Sequence, residues 1–174
     1  MKGINMRVCR YTVLLAILVL AGCASVGTSP RGQELPIEKA AVKLHVDVQD
    51  GGYKIVSTET LKKWLDEGMK LTMLSTLPLE EDRMLGTLPG ALNAPMARAE
   101  KEITTNDVSN LLKVAGDDKN KTIIVYCGFV GCRRSHHAAK YLVGWGYKNV
   151  YRYPGGIIAW KEAGYPLVKL PPAK

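Results

Sequence analysis

Acid is in short supply in this sequence: 16 Asp and Glu stand against 24 Lys and Arg over 174 residues, a formal net charge of +8. The excess base is not gathered anywhere. Lys62-Lys63, Lys119, Lys121, Arg133-Arg134 and Lys169 are scattered, with no run of five or six like charges. That argues against a nucleic-acid surface, which needs a clustered basic face, and leaves only mild steering toward an anionic bilayer or substrate. Cysteine is scarce as well. Of the four, Cys9 and Cys23 lie near the N-terminus, Cys127 and Cys132 are the remaining pair, and no C-x-x-C occurs. A disulfide framework is therefore excluded. With only three histidines, His45, His136 and His137, no credible tetrahedral zinc set remains. There is one Phe, Phe129, and no internal repeat.

A membrane-spanning run is missing too. Tyr11 to Leu20 is apolar but only ten residues long, against the roughly 20 needed to cross a hydrocarbon core. Its surroundings have the form of a secretory signal: Lys2, Arg7 and Arg10 ahead of it, small residues behind it. Leu20-Ala21-Gly22-Cys23 resembles the lipobox of bacterial lipoproteins. That resemblance implies cleavage before Cys23 and lipidation of its sulfur, and acyl chains of this kind anchor durably. With Ala24 next, it further implies a cell-envelope protein, on the outer membrane if the host is Gram-negative. Removing residues 1–22 takes three basic residues and no acid, so the net charge falls from +8 to +5. Ser25 to about Pro36 is rich in Gly, Ser, Thr and Pro and reads as a tether. The expected organisation is a leader over 1–22, a lipidated N-terminus and tether over 23–40, and one domain over 41–174.

Within the domain, Val42, Leu44, Val46 and Val48 alternate with Lys43, His45 and Asp47. Period two predicts a half-buried strand, with His45 on its polar face. Ser57 is a fitting N-cap for a helix to about Gly68, with Leu61, Trp64 and Leu65 inward. Leu71–Leu74 predicts a strand, Leu79–Met84 a brief acidic helical turn, Leu88–Ala91 a turn into a short strand, and Asn106–Ala115 a helix. Thr122-Ile123-Ile124-Val125-Tyr126 is continuous and β-branched, as a strand buried on both faces of a parallel sheet would be. A helix over Ser135–Trp145, a strand over Asn149–Tyr153 and a last helix through Trp160 follow. Alternating strands and helices predict an open α/β sheet. Trp64, Trp145 and Trp160 read as core residues, and His136 and His137 as a solvent-side pair, since neighbours on a helix point about 100° apart.

Cys127 directly follows the strongest strand, and in open α/β sheets sites lie at the carboxyl ends of strands. The loop Gly128-Phe129-Val130-Gly131-Cys132-Arg133, the start of the next helix and the arginines turn partial and full positive charge toward one spot. Such surroundings favour thiolate over thiol and suit an anion such as thiosulfate, phosphate or arsenate.

Val125-Tyr126-Cys127, Arg134-Ser135-x-x-Ala138-Ala139-x-x-Leu142, Gly146-Tyr147-x-Asn149-Val150 and Gly155-Gly156-x-x-Ala159-Trp160 together resemble the C-terminal half of a rhodanese domain. Upstream, Gly86-Thr87-Leu88-Pro89-Gly90-Ala91-Leu92-Asn93 is similar to that family's G-H-I-P-G-A-x-N. The resemblance covers about residues 55–168. It implies a five-stranded parallel sheet flanked by helices and a cysteine that carries a persulfide. Three features depart from the family pattern. Thr87 replaces a His, Ser75 stands where an Asp usually ends the preceding strand, and the loop is long. Sulfurtransferases of the family show C-x4-R and related phosphatases and arsenate reductases C-x5-R, whereas Cys127 to Arg133 is C-x5-R and Cys127 to Arg134 is C-x6-R. The ungapped match after Arg134 favours Arg134 over Arg133 as the family arginine.

Cys132 has two open readings: a resolving thiol that closes on Cys127 if their Cα atoms come within about 4.4–6.8 Å, or a spectator in the helix packing. Phe129 either lines the pocket mouth or anchors the loop. The expectation that follows is a sulfurtransferase with Cys127 and Arg134 catalytic, a small anionic sulfur donor, a thiol or cyanide acceptor, and neither metal nor cofactor. A thiol redox or arsenate/phosphate enzyme using Cys127 with Cys132, and a non-catalytic sulfur-carrier or binding module, are the rival expectations.

Overall fold

The computed structural model describes residues 34–171; the leader, Cys23 and most of the expected tether lie outside them. Internal contacts divide the chain into Met1–Lys39 and Ala40–Lys174, and the sheet belongs to the second unit. The elements run α1 (Glu34–Gly51), β1 (Lys54–Ile55), α2 (Thr58–Asp66), β2 (Leu71–Ser75), α3 (Leu79–Leu85), β3 (Leu92–Asn93), a 3-10 turn (Glu100–Glu102), α4 (Thr105–Ala115), β4 (Thr122–Tyr126), α5 (Arg134–Gly144), β5 (Asn149–Tyr153) and α6 (Gly156–Glu162). The five strands form one parallel sheet in the order β1-β5-β4-β2-β3. An isolated antiparallel bridge ties Thr87 to Val168. Among the described residues no helix is long and apolar enough to cross a membrane.

β4 is central because its composition permits nothing else. Ile123, Ile124, Val125 and Tyr126 are all fully buried, with β2 on one side and β5 on the other. Its two faces carry separate cores. Leu74, Ile123, Val125, Leu111, Ala138, Ala139 and Leu142 pack on one face, and Leu61, Met73, Ile124, Tyr126, Tyr153 and Trp160 on the other. Two helices carry side-chain N-caps: in α2 the Ser57 side chain accepts from the Thr60 amide, and in α4 Thr104 forms a reciprocal capping box with Asp107.

Residues 42–48 are not a strand. They lie in α1, which begins at Glu34 and so also takes in the end of the expected tether. Pro36 falls in the first helical turn, where a missing N–H leaves no bond unmade. The inward stripe of α1 is half-buried Leu44 and Val48 with buried Asp47 and Gly51, spaced as a helix face, while Val42 and Val46 point to solvent. The alternation of apolar residues was a coincidence, and the residue that decides the packing is the Asp. The edge strand is Lys54–Ile55 instead, paired with β5.

Candidate active site

Cys127 sits one residue beyond β4 and is 1% exposed. The loop that starts there is held from both ends. On the N-terminal side, Ile157 and Ile158 at the start of α6 donate their amides to the carbonyls of Cys127 and Gly128, both at 3.0 Å. A trans peptide sets N–H opposite C=O, so the amides of Gly128 and Phe129 face away from α6. This close approach needs Gly156: its φ is +60°, and a Cβ there would lie 2.2 Å from the Cys127 carbonyl oxygen. Beneath the loop, Thr76 brackets the last carbonyl of β4, donating to Tyr126 O from its amide at 3.0 Å and from its hydroxyl at 2.9 Å.

On the C-terminal side the clamp is Arg152 of β5, which is 1% exposed. Its Nη2 donates to the carbonyls of Val130 (3.1 Å) and Cys132 (3.0 Å), and its Nε to Ser135 Oγ (3.1 Å). Nη1 donates to Asp47 Oδ2 at 3.1 Å and to the Tyr53 hydroxyl at 3.2 Å. Asp47 in turn receives Arg133 Nη1 at 2.9 Å and Lys43 Nζ at 3.0 Å. Burial pushes the Asp47 carboxyl up, but the hydrogen bond from Lys43 and the surrounding positive groups pull harder, and its pKa ends below the ordinary value. Sequence reasoning gave Arg152 and Asp47 no role. The available signal was a charged residue in the middle of a strand, which cannot be buried without a partner.

His136 and His137 are not a solvent-side pair; each is 1% exposed. The first turns of α5 are covered on both sides, with Ser135 through Ala139 all buried. His136 Nδ1 lies 2.9 Å from the Tyr53 hydroxyl and its Nε2 3.3 Å from Asp50 Oδ2. Burial holds its pKa down, to about 4, so the ring is neutral. The consistent pattern is Nε2–H toward Asp50 and Nδ1 accepting from Tyr53. His137 hydrogen-bonds the Arg98 backbone, and burial also lowers its pKa. Trp145 leaves the core as well, 56% exposed just past the end of α5, whereas Trp160 is buried and Trp64 packs edge-on to Tyr151.

A cavity of about 330 Å³ opens beside the loop, lined by Gly128, Phe129, Cys132, Arg134, Arg98, Glu81, Leu77, Leu85 and Ile158. Phe129 is half exposed at this cavity, which settles it as a pocket-lining residue. Arg134 faces the cavity, 3.9 Å from Glu81 Oε1. Arg133 does not line it and is committed to Asp47; Val130 and Gly131 are exposed residues of the loop outside the lining. Arg98, which the sequence did not single out, brings a second guanidinium. Cys127 itself is buried behind the cavity wall and is joined to Cys132, which lines the cavity, in a disulfide with Cα atoms 6.2 Å apart. The two sulfurs thus meet, as a resolving thiol at Cys132 requires.

Of the three departures from the family pattern, the one at Ser75 has a local answer. Ser75 Oγ donates to Asp82 Oδ1 at 2.7 Å, and Asn93 Nδ2 donates to Asp82 Oδ2 at 2.7 Å. The carboxylate absent from the end of β2 is supplied by fully buried Asp82 of α3. Burial raises its pKa, against the pull of these two hydrogen bonds. Thr87 is buried and bonds Val168 through its backbone in both directions at 2.9 Å.

Comparison with known proteins agrees with this arrangement. The family model described as rhodanese-like domain matches residues 57–163. A sulfur carrier protein of Thermus thermophilus, TtuD, is 30% identical over 156 residues, covering 80% of this chain and 52% of that protein. A Mycobacterium bovis protein named as a candidate thiosulfate sulfurtransferase is 34% identical over 99 residues, covering 55% of this chain and 34% of that protein. The chain thus spans about half the length of the first and a third of the second. The solution structure of a polysulfide-sulfur transferase homodimer from Wolinella succinogenes shares the fold, with a TM-score of 0.54 at 22% identity over 80% of this chain and 93% of that one. A parallel sheet of this order, a cysteine loop at the end of its central strand and a matching family model together make the chain a member of the rhodanese-like family.

Proposed function

We propose that the protein is a sulfurtransferase that accepts sulfane sulfur from a small anionic donor on Cys127 and passes it to a thiol or cyanide. The supporting observation is the position of Cys127: at the end of the central strand, in a loop clamped at both ends, next to a cavity with two arginines. The reduced Cys127 thiolate attacks the outer sulfur of a donor such as thiosulfate. A persulfide forms and sulfite leaves, and a second nucleophile then takes the sulfur. Arg134 and Arg98 balance the charge of donor and leaving group, assisted by the loop amides and the uncapped start of α5. The names of the relatives, a sulfur carrier and a thiosulfate sulfurtransferase, suggest the same chemistry. Lipidation at Cys23 would hold this activity on the envelope side of a bacterial membrane.

Sulfite formation from thiosulfate by the reduced full-length protein tests the reading, compared with p-nitrophenyl phosphate hydrolysis and arsenate reduction. Sulfite turnover that vanishes in Cys127→Ser supports it. Turnover with arsenate or the phosphate ester alone favours the rival anion chemistry, and turnover with none of them favours a binding module. One observation gives the thiol redox reading a place beside sulfur transfer, namely the Cys127–Cys132 disulfide.

A further inference from the structure

The disulfide joins the proposed sulfur-carrying thiol to its neighbour five residues on. A sulfur atom on Cys127 and a bond to Cys132 are alternatives: Cys127 Sγ can hold one or the other. From this geometry we infer that Cys132 discharges the Cys127 persulfide, so that the protein reduces sulfane sulfur to sulfide. The inference rests on the persulfide reading above.

The steps balance as follows. Cys127 thiolate takes the outer sulfur of thiosulfate and releases sulfite. Cys132 thiolate then attacks Cys127 Sγ; the Cys127–Cys132 bond forms, the bond to the outer sulfur breaks, and that sulfur leaves as hydrosulfide. The transferred sulfur gains two electrons and the two cysteine thiols lose them. A dithiol supplies the electrons for the next cycle. It attacks Cys132 Sγ, expels Cys127 as thiolate, and is itself oxidised to a disulfide when its second thiol resolves the mixed disulfide.

Two features favour this sequence over a passive loop. The first is rigidity. Arg152 fixes the Cys132 carbonyl and the α6 amides fix the Cys127 carbonyl, and neither clamp involves a sulfur. Reduction therefore leaves the backbones in place, with Cα atoms still close to the 6.2 Å of the disulfide. Attack is then intramolecular, with the rate advantage that held geometry brings. The second is access. Cys132 lines the 330 Å³ cavity and Cys127 does not, so a dithiol meets Cys132 first.

The test is a single turnover of the full-length protein, reduced, freed of reductant and given thiosulfate without air or added thiol. Sulfite, sulfide and intact mass are followed together. The wild type is expected to release one sulfite and one sulfide per chain, stop with the Cys127–Cys132 disulfide formed, and resume on addition of a dithiol. Cys132→Ser is expected to release one sulfite, no sulfide, and keep the extra sulfur on Cys127; its sulfite burst shows that it is folded and active. Sulfide release should be at least about tenfold faster in the wild type than in the variant. A wild type that keeps its persulfide, with Cys132 free and sulfide release no faster than in Cys132→Ser, overturns the inference but leaves sulfur transfer standing. If neither protein yields sulfite or a persulfide, the inference and the reading beneath it fail together.

Discussion

The Arg152 guanidinium and the Asp47 carboxylate meet at 3.1 Å, both nearly fully buried, across 105 positions of sequence. Through this pair α1 takes part in the cysteine loop: Asp47 holds Arg152, and Arg152 holds the carbonyls of Val130 and Cys132. Removing one partner of a buried pair strands the other charge, which costs about 3–5 kcal/mol. Asp47→Ala should therefore lower stability by that order in urea unfolding. Lys43→Ala, which removes a half-exposed partner of the same carboxylate, should change it by no more than about 1 kcal/mol. Equal effects would mean that Asp47 serves only its surface lysine.

Gly156 should tolerate no side chain. An alanine meets the Cys127 carbonyl oxygen at 2.2 Å and Gly128 C and O at 2.7 Å. It also adopts a left-handed conformation that costs an L-residue about 1–2 kcal/mol by itself. Gly156→Ala should be destabilised by more than this and lose turnover. Gly68→Ala, with a similar φ of +69° and nothing near its Cβ, supplies the control for the backbone contribution and should keep turnover.

His136 predicts a particular response to acid. Its folded pKa, about 4, lies below its ordinary 6.5, so between these values the unfolded chain binds a proton that the folded protein does not. Stability is then complete above pH 6.5 and falls as pH drops toward 4, by at most about 1.4 kcal/mol per pH unit for one group. His137, shifted in the same direction, adds to the slope. Urea midpoints from pH 7.5 to 4.5 measure it, and His136→Gln should flatten the curve. An unchanged slope in that variant would move the effect elsewhere.

The arginines should separate cleanly. Arg134 faces the cavity, while Arg133 is spent on Asp47. Arg134→Lys should reduce kcat/KM for sulfite formation well beyond Arg133→Lys, because a lysine cannot reproduce the planar fork toward an oxyanion. Arg133→Lys should show itself in stability first. The reverse order would place the inserted loop residue on the other side of the pair. For the N-terminus, Cys23→Ala should yield a protein that is exported but recovered in the soluble fraction. Retention through a carbonate wash would argue against a lipid anchor.

The parts of the fold legible in the sequence were those ruled by local pattern. β4 falls where its β-branched run predicts, β5 covers the expected Asn149–Tyr153, and the helices after Ser57 and around Val108 and Leu142 lie within a residue or two of their expected bounds. What local pattern missed is carried by long-range polar partners. The apolar alternation of residues 42–48 conceals a helix because the stripe that packs includes Asp47, whose burial goes with remote Arg152 and Arg133. His136 and His137 were placed in solvent because their burial depends on Tyr53, Asp50 and the Arg98 backbone, all remote in sequence. In the sequence Asp82 is one more acid on an acidic turn; in the fold it is buried with hydrogen bonds from Ser75 and Asn93, seven and eleven residues away. The cysteine loop was legible as chemistry, but whether its two sulfurs meet is a matter of distance.

The sulfur atom that Cys127 is proposed to hold can be weighed directly. Full-length Cys132→Ser, reduced and exposed to thiosulfate, should gain the mass of one sulfur atom on the peptide containing Cys127, release an equivalent of sulfite, and lose the added mass to cyanide as thiocyanate. An unchanged mass, or sulfite release that persists in Cys127→Ser, would contradict it.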